Sequence, residues 1–198
     1  TEKAVFICEP NYLVGEVLTC VCPNPKLVLT AGTSTVVCVW IYHKKLKQLH
    51  LQHSLYGHTD AVTSLAASPG WGVAVSGSRD TTVIIWDIAR FSYIKTLSGH
   101  AGPVAAVNIN ELNGNIVTCA SSKVYLWDVN GLPVASVETS PGVDKKLKCQ
   151  ILCVAQSQMY EWDRQNVILT GGSDGVVRMW SLDYVEVPVQ ASEVQEPG

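Results

Sequence analysis

The sequence lacks several features that define large classes of proteins. It contains only two phenylalanines and two methionines. No apolar run reaches the roughly 18 residues from which a membrane-spanning helix is predicted. The start, TEKAVFICEP, has neither the basic head nor the long apolar body of a secretory signal. We therefore expect a soluble, cytoplasmic chain whose contact with membranes is at most peripheral.

Positive charge is also scarce. The chain has 14 lysines and arginines against 17 aspartates and glutamates, for a formal net charge of −3. Proteins that bind nucleic acids neutralise phosphates with a basic surface, so this balance does not favour a nucleic-acid partner. Two basic clusters remain, HKKLK (His43 to Lys47) and DKKLK (Asp144 to Lys148). We interpret each as a solvated loop.

Cysteines are present, but not in a pairing pattern. There are seven, an odd number, and most stand among valines, leucines and isoleucines, as reduced thiols in a core do. One residue separates Cys20 from Cys22, and three separate Cys149 from Cys153. No second Cys or His pair follows either at zinc-finger distances. The sequence predicts no disulfide framework, no metal site and no cofactor.

The sequence does contain a repeated segment that ends in tryptophan. Its copies are TAGTSTVVCVW (to Trp40), SGSRDTTVIIW (to Trp86), TCASSKVYLW (to Trp127) and TGGSDGVVRMW (to Trp180). The tryptophans are 46, 41 and 53 residues apart, near the forty-odd residues of a four-stranded propeller blade. Two further apolar runs precede each tryptophan. Short runs separated by turn residues predict four-stranded antiparallel sheets.

The central strands of these units lack polar alternation. Val83, Ile84 and Ile85 follow one another, so both faces of that strand must be covered. Blades stacked around an axis cover both faces of each sheet. We predict an all-β fold of four propeller blades, with part of a fifth in AVFICEP, that forms an incomplete ring. The predicted propeller segment spans 1–188, with blades near 13–50, 55–97, 98–140 and 145–187, and 189–198 is predicted to be a disordered acidic tail.

The segment Leu55 to Ile88, LYGHTDAVTSLAASPGWGVAVSGSRDTTVIIWDI, resembles a complete WD repeat. In that family a His, a Ser or Thr, an Asp and a Trp form a hydrogen-bonded tetrad inside the blade. The resemblance assigns these roles to His58, Ser76, Asp80 and Trp86. Such a tetrad is chemically consistent, because each polar group in the buried chain has a partner.

The other units keep parts of this pattern. The third unit has His100, Thr118 and Trp127, but its turn, ASSK, is two residues shorter and has no Asp. The fourth has Thr170, Asp174 and Trp180 at the offsets of the complete repeat, without a Gly-His pair upstream. The first has Thr30, Ser34 and Trp40, with Ser in the Asp position. The resemblance therefore implies partial tetrads in these units.

A narrower resemblance rests on longer stretches. AGTSTVVCVW (Ala31 to Trp40), SGSRDTTVIIWD (Ser76 to Asp87) and EWDRQNVILTGGSDGVVRMW (Glu161 to Trp180) are similar to the C-terminal WD repeats of the BEACH-domain proteins, in particular the ALFY-like WD-repeat and FYVE-domain-containing subfamily. The chain contains neither a BEACH module nor the cysteine pairs of a FYVE domain. The resemblance implies a non-catalytic scaffold in endosomal membrane trafficking and selective autophagy, at endosomal or autophagic membranes. It also implies that upstream blades and a BEACH module belong to the parent chain.

Two other functions remain alternatives. A generic WD-repeat adaptor, such as a ubiquitin-ligase substrate receptor, fits the same repeats. A serine hydrolase is suggested by His58, Ser76 and Asp80, and by GGSDG (Gly171 to Gly175), which matches the G-x-S-x-G elbow. We disfavour the hydrolase, because the elbow requires a helix after Ser173, whereas two strands flank it. The His58 group also recurs in part in another unit, which a catalytic site has no reason to do.

The candidate partner-binding residues lie mainly in predicted loops. The short motif DYVEV (Asp183 to Val187) is similar to motifs that bind ubiquitin-like modifiers in autophagy by adding a strand. We favour a closing outer strand, because the apolar alternation suffices to explain the motif. The stretch HKKLKQLHLQH (His43 to His53) is interpreted as an insertion between blades, with the binding of a metal or of acidic lipids as the disfavoured alternatives. The candidates are Trp71, Arg79, Lys145, Lys146, Lys148, Tyr184 and Val187.

Overall fold

The computed structural model describes residues 15–139, 149–157 and 167–182 of the 198-residue chain. These residues form fifteen strands and no helix, and therefore no helix that could cross a membrane. The first two sheets contain β1 (Val17–Asn24), β2 (Leu27–Gly32), β3 (Val37–His43), β4 (Gln48–Leu55), β5 (Val62–Ser68), β6 (Val73–Ser78), β7 (Val83–Asp87) and β8 (Ser92–Leu97). The next two contain β9 (Val104–Ile109), β10 (Ile116–Ala120), β11 (Lys123–Trp127), β12 (Pro133–Glu138), β13 (Ile151–Gln156), β14 (Val167–Gly172) and β15 (Val177–Ser181).

The strands form four antiparallel sheets in chain order, which we call blades 1 to 4. Blades 1 to 3 have four strands each, and blade 4 has three described strands. The first strands of the blades, β1, β5, β9 and β13, lie side by side in that order. Among the described strands, β13 makes no comparable contact with β1, so the blades form an open arc. The prediction of an all-β, incomplete WD-repeat propeller is confirmed.

Each pair of neighbouring blades shares one apolar cluster. Ile84 and Trp86 of β7 pack toward blade 1, with Leu29 and Val39 among their neighbours. Val83 and Ile85 alternate with them and pack toward blade 3. A third cluster joins blades 3 and 4. All of Val83, Ile84 and Ile85 are at most 2 % exposed, so the absence of polar alternation in β7 does reflect burial on both faces.

The two end blades expose apolar side chains, although Cys38 and Trp40 on the side of β3 directed away from blade 2 are buried. In blade 4, Leu169, Val177 and Met179 point away from blade 3, and the last two are more than 70 % exposed. In blade 1, Val17 and Leu18 of β1 are exposed. At corresponding positions in the inner blades, apolar side chains pack against a neighbouring blade.

Two expectations about local structure are wrong. His43 to His53 is not an insertion between blades: β3 and β4 pair through it, so it forms the outer hairpin of blade 1, which extends to Leu55. The cysteines are not mostly core thiols, because Cys20, Cys22 and Cys153 are exposed. Cys38, Cys119 and Cys149 are buried, and burial, with a smaller contribution from Cys153, raises the pKa of Cys119 to about 12.

The contact between blades 2 and 3 leaves no room beside Gly77. A Cβ at this position would lie 2.6 Å from Cγ1 of Val104 and 2.8 Å from Cγ1 of Val107. We expect Gly77→Ala to lower the free energy of unfolding by about 1–3 kcal/mol, because the added methyl group separates two packed sheets. Urea unfolding measures the change.

Gly102→Ala is the matched control. Its added Cβ would meet only the hydroxyl of Ser121, at 2.7 Å, and that side chain can rotate away. Equal losses in the two variants would show that close packing between blades 2 and 3 is not the cause.

Candidate functional site

The turns of each blade lie at two opposite ends. The lower end carries the turns between the first and second strands and between the third and fourth strands. The upper end carries the turn between the second and third strands and the link from the preceding blade. In blade 2 the lower turns are 69–72 and 88–91, and the upper segments are 56–61 and 79–82. Exposed side chains at these ends are the surface available to partners, because the faces of the inner blades are buried.

Blade 2 contains a continuous chain of hydrogen bonds near its upper end. The Nδ1 of His58 lies 2.9 Å from Oδ2 of Asp80, and its Nε2 lies 2.7 Å from Oγ of Ser76. The indole Nε1 of Trp86 donates to the same Oγ at 2.8 Å. Because a carboxylate only accepts, Nδ1 of His58 carries the proton and Ser76 donates to Nε2. Each member of the chain has a partner in a definite direction, which is the tetrad geometry implied by the WD-repeat resemblance.

Asp80 accepts more hydrogen bonds than sequence reasoning indicated. The hydroxyl of Thr82 donates to Oδ1 at 2.6 Å, and the N–H groups of Thr82 and Thr59 donate at 2.9 Å each. Burial acts to raise the pKa of Asp80, but these three hydrogen bonds and the one from His58 outweigh it and lower the pKa below its usual value. The Asp-x-Thr spacing, which is typical of a side chain that caps its own turn, was the available signal for Thr82.

In blade 3 a backbone carbonyl of blade 2 takes the role that the carboxylate of Asp80 has in blade 2. The Nδ1 of His100 lies 3.1 Å from the carbonyl oxygen of Thr81, in the upper turn of blade 2. Its Nε2 lies 2.8 Å from Oγ1 of Thr118, to which Nε1 of Trp127 donates at 3.0 Å. Tyr125 packs edge-on against the imidazole, with ring centroids 4.8 Å apart. The polar chain therefore crosses from one blade to the next.

Blades 1 and 4 share only the hydroxyl–indole link among their described residues. Trp40 Nε1 donates to Thr30 Oγ1 at 2.8 Å, and Trp180 Nε1 donates to Thr170 Oγ1 at 3.0 Å. Asp174 does not extend the link: its carboxylate pairs with Arg178, at 2.5 Å between Oδ2 and Nη2. Hydrogen bonds from Arg178, then from the N–H of Val176, lower the pKa of Asp174.

The groups that resemble a serine hydrolase do not have the geometry of one. Ser76 is 0 % exposed, and its Oγ already accepts the indole N–H of Trp86, so no substrate reaches it. Ser173 lies in a tight turn between β14 and β15, and no helix follows it. Its Oγ accepts the N–H of Gln150 at 3.0 Å. A nucleophile elbow requires a strand, a sharp turn and then a helix.

Trp71 lies in the lower turn of blade 2 and bridges to blade 3. Its Nε1 donates to the carbonyl of Glu111 at 3.1 Å, and its ring lies against Gly114, where a Cβ would be 2.9 Å from Cε2. The carboxylate of Glu111 accepts from Ser68 at 2.7 Å, and Ser68 Oγ accepts the N–H of Trp71 at 3.3 Å. The side chain is 42 % exposed. Trp71 is thus both packed in the turn and presented to solvent.

Arg79 lies at the opposite end of blade 2. It is exposed in the upper turn, and its N–H donates to the carbonyl of Ala61 at 2.9 Å. Because β6 runs for six residues between Trp71 and Arg79, the two are about 20 Å apart. They do not share one local contact surface.

Four groups of predictions lie outside the described residues: Lys145, Lys146 and Lys148; Tyr184 and Val187; the partial fifth blade; and the acidic tail.

Family comparison agrees with this architecture. The WD domain, G-beta repeat family matches residues 49–87, 91–128 and 144–181, which together are more than half of the chain. The chain belongs to the WD-repeat family. The first two matches begin at or near the start of an outer strand, β4 or β8, so a sequence repeat and a blade are offset along the chain.

Among curated proteins, the similarity is to large BEACH-type proteins. The chain is 40 % identical over 199 residues to WD repeat- and FYVE domain-containing protein 4 of Mus musculus, covering 99 % of this chain and 6 % of that protein. It is 40 % identical over 140 residues to the human lysosomal-trafficking regulator, covering 68 % of this chain and 3 % of that protein. Over 194 residues it is 33 % identical to BEACH domain-containing protein A2 of Arabidopsis thaliana, covering 95 % of this chain and 5 % of that protein.

These matches confirm the predicted resemblance to the WD repeats of BEACH-domain proteins. The chain spans only 3–6 % of the length of these three relatives. Activities and partners of the whole proteins are therefore considered only as proposals.

Asp80→Ala tests the tetrad of blade 2. Removing the carboxylate leaves His58, Thr59 and Thr82 without their acceptor, and we expect a loss of about 1–3 kcal/mol in the free energy of unfolding. Chemical denaturation gives the value. Asp174→Ala is the control, with a smaller expected loss, because its partner Arg178 is partly exposed and water can replace the carboxylate. A melting curve unchanged by Asp80→Ala would contradict the tetrad.

His100 predicts a dependence of stability on pH. Burial lowers the pKa of His100, partly opposed by the Thr81 carbonyl, whereas an unfolded histidine takes up a proton near pH 6.5. Below that pH the unfolded state binds more protons, so this contribution to stability is complete above about pH 6.5 and is lost as pH falls through the folded-state pKa.

Melting temperatures of the wild type and of His100→Gln, measured across this range, isolate the effect. We expect the wild-type curve to fall more steeply on acidification than the variant curve. Parallel curves would show that protonation of His100 does not oppose folding.

Proposed function

We propose that this chain is a non-catalytic protein-interaction scaffold, the C-terminal WD-repeat part of a BEACH-type protein that acts in endosomal membrane trafficking and selective autophagy. The WD repeats and the BEACH-protein relatives support an interaction scaffold. The trafficking role is inferred from resemblance, and one relative is named a lysosomal-trafficking regulator. Peripheral association with endosomal or autophagic membranes belongs to the same proposal.

One structural observation carries the scaffold proposal. The side chains that could suggest catalysis, His58 and Ser76 in blade 2 and His100 and Thr118 in blade 3, are buried and bonded to one another. They hold the blades rigid, while the turns present exposed side chains such as Trp71 and Arg79. Rigid sheets that present variable turns are suited to recognising other proteins.

The exposed apolar residues of blades 1 and 4 suggest how the scaffold is completed. Val177 and Met179 of blade 4 and Val17 and Leu18 of blade 1 are exposed apolar residues on sheets that otherwise pack against neighbours. Upstream blades of the parent chain would cover such faces and close a ring. We include these blades, and the BEACH module that precedes them in the resembled proteins, among the proposed partners. Ubiquitin-like modifiers at Tyr184 and Val187 are a further proposed partner.

A pull-down from cell lysate tests the scaffold, with the chain extended upstream to a closed ring as bait. We expect Trp71→Ala to weaken capture of partners that bind the lower end by about tenfold, because an aromatic anchor held in place by its own turn loses little entropy on binding. Arg79→Glu should affect only partners of the upper end. Quantitative mass spectrometry separates the two sets.

Tyr93→Ala is the matched control, because Tyr93 is 56 % exposed but lies on the outer strand β8 and not in a turn. Loss of the same partners in all three variants would argue against recognition through the turns. Capture of the same partners by the isolated 198-residue chain would show that ring completion is not required.

A further inference from the structure

Charge is distributed unevenly along the chain. Between residues 17 and 59 there are four lysines and four histidines, and no aspartate or glutamate. The chain as a whole has a net charge of −3, so blade 1 is basic within an acidic protein. Sequence reasoning treated Lys44, Lys45 and Lys47 as part of a solvated insertion, whereas the structure places them on the hairpin of β3 and β4.

The four lysines of blade 1 meet at its lower end. Lys26 lies in the turn between β1 and β2, and Lys44, Lys45 and Lys47 lie in the turn between β3 and β4. The N–H of Tyr42 donates to the carbonyl of Lys26 at 2.7 Å, so the two turns are adjacent. All four lysines are exposed. We call this surface, Lys26 with residues 44–47, the basic tip.

An apolar side chain stands at the centre of the basic tip. Leu46 is 61 % exposed and lies between Lys45 and Lys47. The turn around it is ordered: the N–H of Leu46 donates to the carbonyl of His43 at 3.1 Å, and Lys47 adopts a φ of 53°, which closes the turn. Backbone geometry therefore holds the leucine outward, away from the cluster shared by blades 1 and 2.

No described carboxylate neutralises the tip. None of its lysines forms an ion pair with a described residue. The lower turn of blade 2 contacts blade 1 through Phe91, whose ring centroid lies 4.8 Å from that of His53, six residues along β4 from Lys47. That turn contains Asp87, whose Oδ1 accepts the N–H groups of Ala89 and Arg90 at 2.8 and 2.9 Å. Its carboxylate is used to close its own turn.

We propose that the basic tip binds an anionic membrane surface, with the lysines near the lipid phosphates and Leu46 in the boundary between headgroups and acyl chains. Lysine is a compact charge that attracts a diffuse field of phosphates, whereas recognition of a single carboxylate or phosphate favours the fork of an arginine. The four cations of the tip are all lysines, and an exposed leucine among cations is typical of an interfacial anchor.

This inference rests on the peripheral membrane association in the proposed function and assigns that contact to blade 1. It holds whether or not the proposed protein partners bind, since those partners are assigned to other turns. An acidic protein is the competing occupant. The exposed leucine at the centre of the tip favours a membrane over an extended acidic peptide, because an acidic peptide offers it no apolar contact.

Cosedimentation of the 198-residue chain with lipid vesicles tests the proposal. We expect binding to vesicles of phosphatidylcholine with phosphatidylserine, little binding to phosphatidylcholine alone, and weaker binding at high salt. The triple variant Lys44→Gln, Lys45→Gln and Lys47→Gln should lower the partition coefficient roughly a hundredfold, since each lysine near an anionic surface contributes about fivefold. Lys45→Gln alone, expected to lower it about fivefold, serves if the triple variant does not fold.

The sequence supplies a closely matched control for the charge. Lys145→Gln, Lys146→Gln and Lys148→Gln removes the same charges at the same spacing, because both clusters read KKLK. This variant should keep most of the binding. An equal loss in the two triple variants would show that total charge governs binding and would overturn the proposal.

A second comparison tests the leucine. Leu46→Ala should weaken vesicle binding severalfold, whereas Leu132→Ala should not, although Leu132 is 56 % exposed in the corresponding lower turn of blade 3. Equal effects of the two substitutions would contradict insertion at the tip. Binding to polyglutamate without binding to anionic vesicles would identify the tip as a site for acidic proteins and would also overturn the proposal.

Discussion

The structure depends on each inner sheet burying both of its faces against neighbouring sheets. Strand β7 shows how one segment serves two contacts, since Ile84 faces blade 1 while Val83 and Ile85 face blade 3. A four-stranded sheet with this pattern has no stable form in isolation, because one apolar face would always be exposed to water. The same constraint explains why a glycine stands at position 77, where a side chain would meet Val104 and Val107 of blade 3.

Burial on both faces also determines the role of the polar residues inside the blades. A hydroxyl placed there must be bonded within the protein, and all four blades use a tryptophan N–H for this purpose. The other hydrogen bonds of these buried groups differ between blades. The histidine donates to Asp80 in blade 2 and to the carbonyl of Thr81 in blade 3. Groups that are fully used in this way stabilise the fold and are not free to react.

The sequence predicted the fold well, because the signals were periodic and carried by side chains. Trp86 and its counterparts fixed the repeat, and the apolar run at Val83 fixed the burial. The acceptor for His100 could not be predicted, since a backbone carbonyl leaves no signature in the sequence and Thr81 belongs to another repeat. The hairpin that begins at His43 was misinterpreted, because its lysines suggested a loop. Pairing between β3 and β4 determines its structure. Trp71 and Arg79 are close in sequence, but they lie at opposite ends of blade 2 because β6 runs between them.

The two ends of the blades are constrained to different degrees. At the upper end the turns belong to the buried polar chains: Asp80 is bonded to His58, and Thr81 to His100. A substitution there alters the core as well as the surface. At the lower end the turns are closed by local hydrogen bonds, such as those that the N–H groups of Lys26 and Leu132 donate to the side chains of Asn24 and Asp128. Side chains can change at the lower end without disturbing the tetrads, so new binding surfaces arise there at a smaller cost in stability. The exposed Trp71 and the lysines of blade 1 both lie at this end.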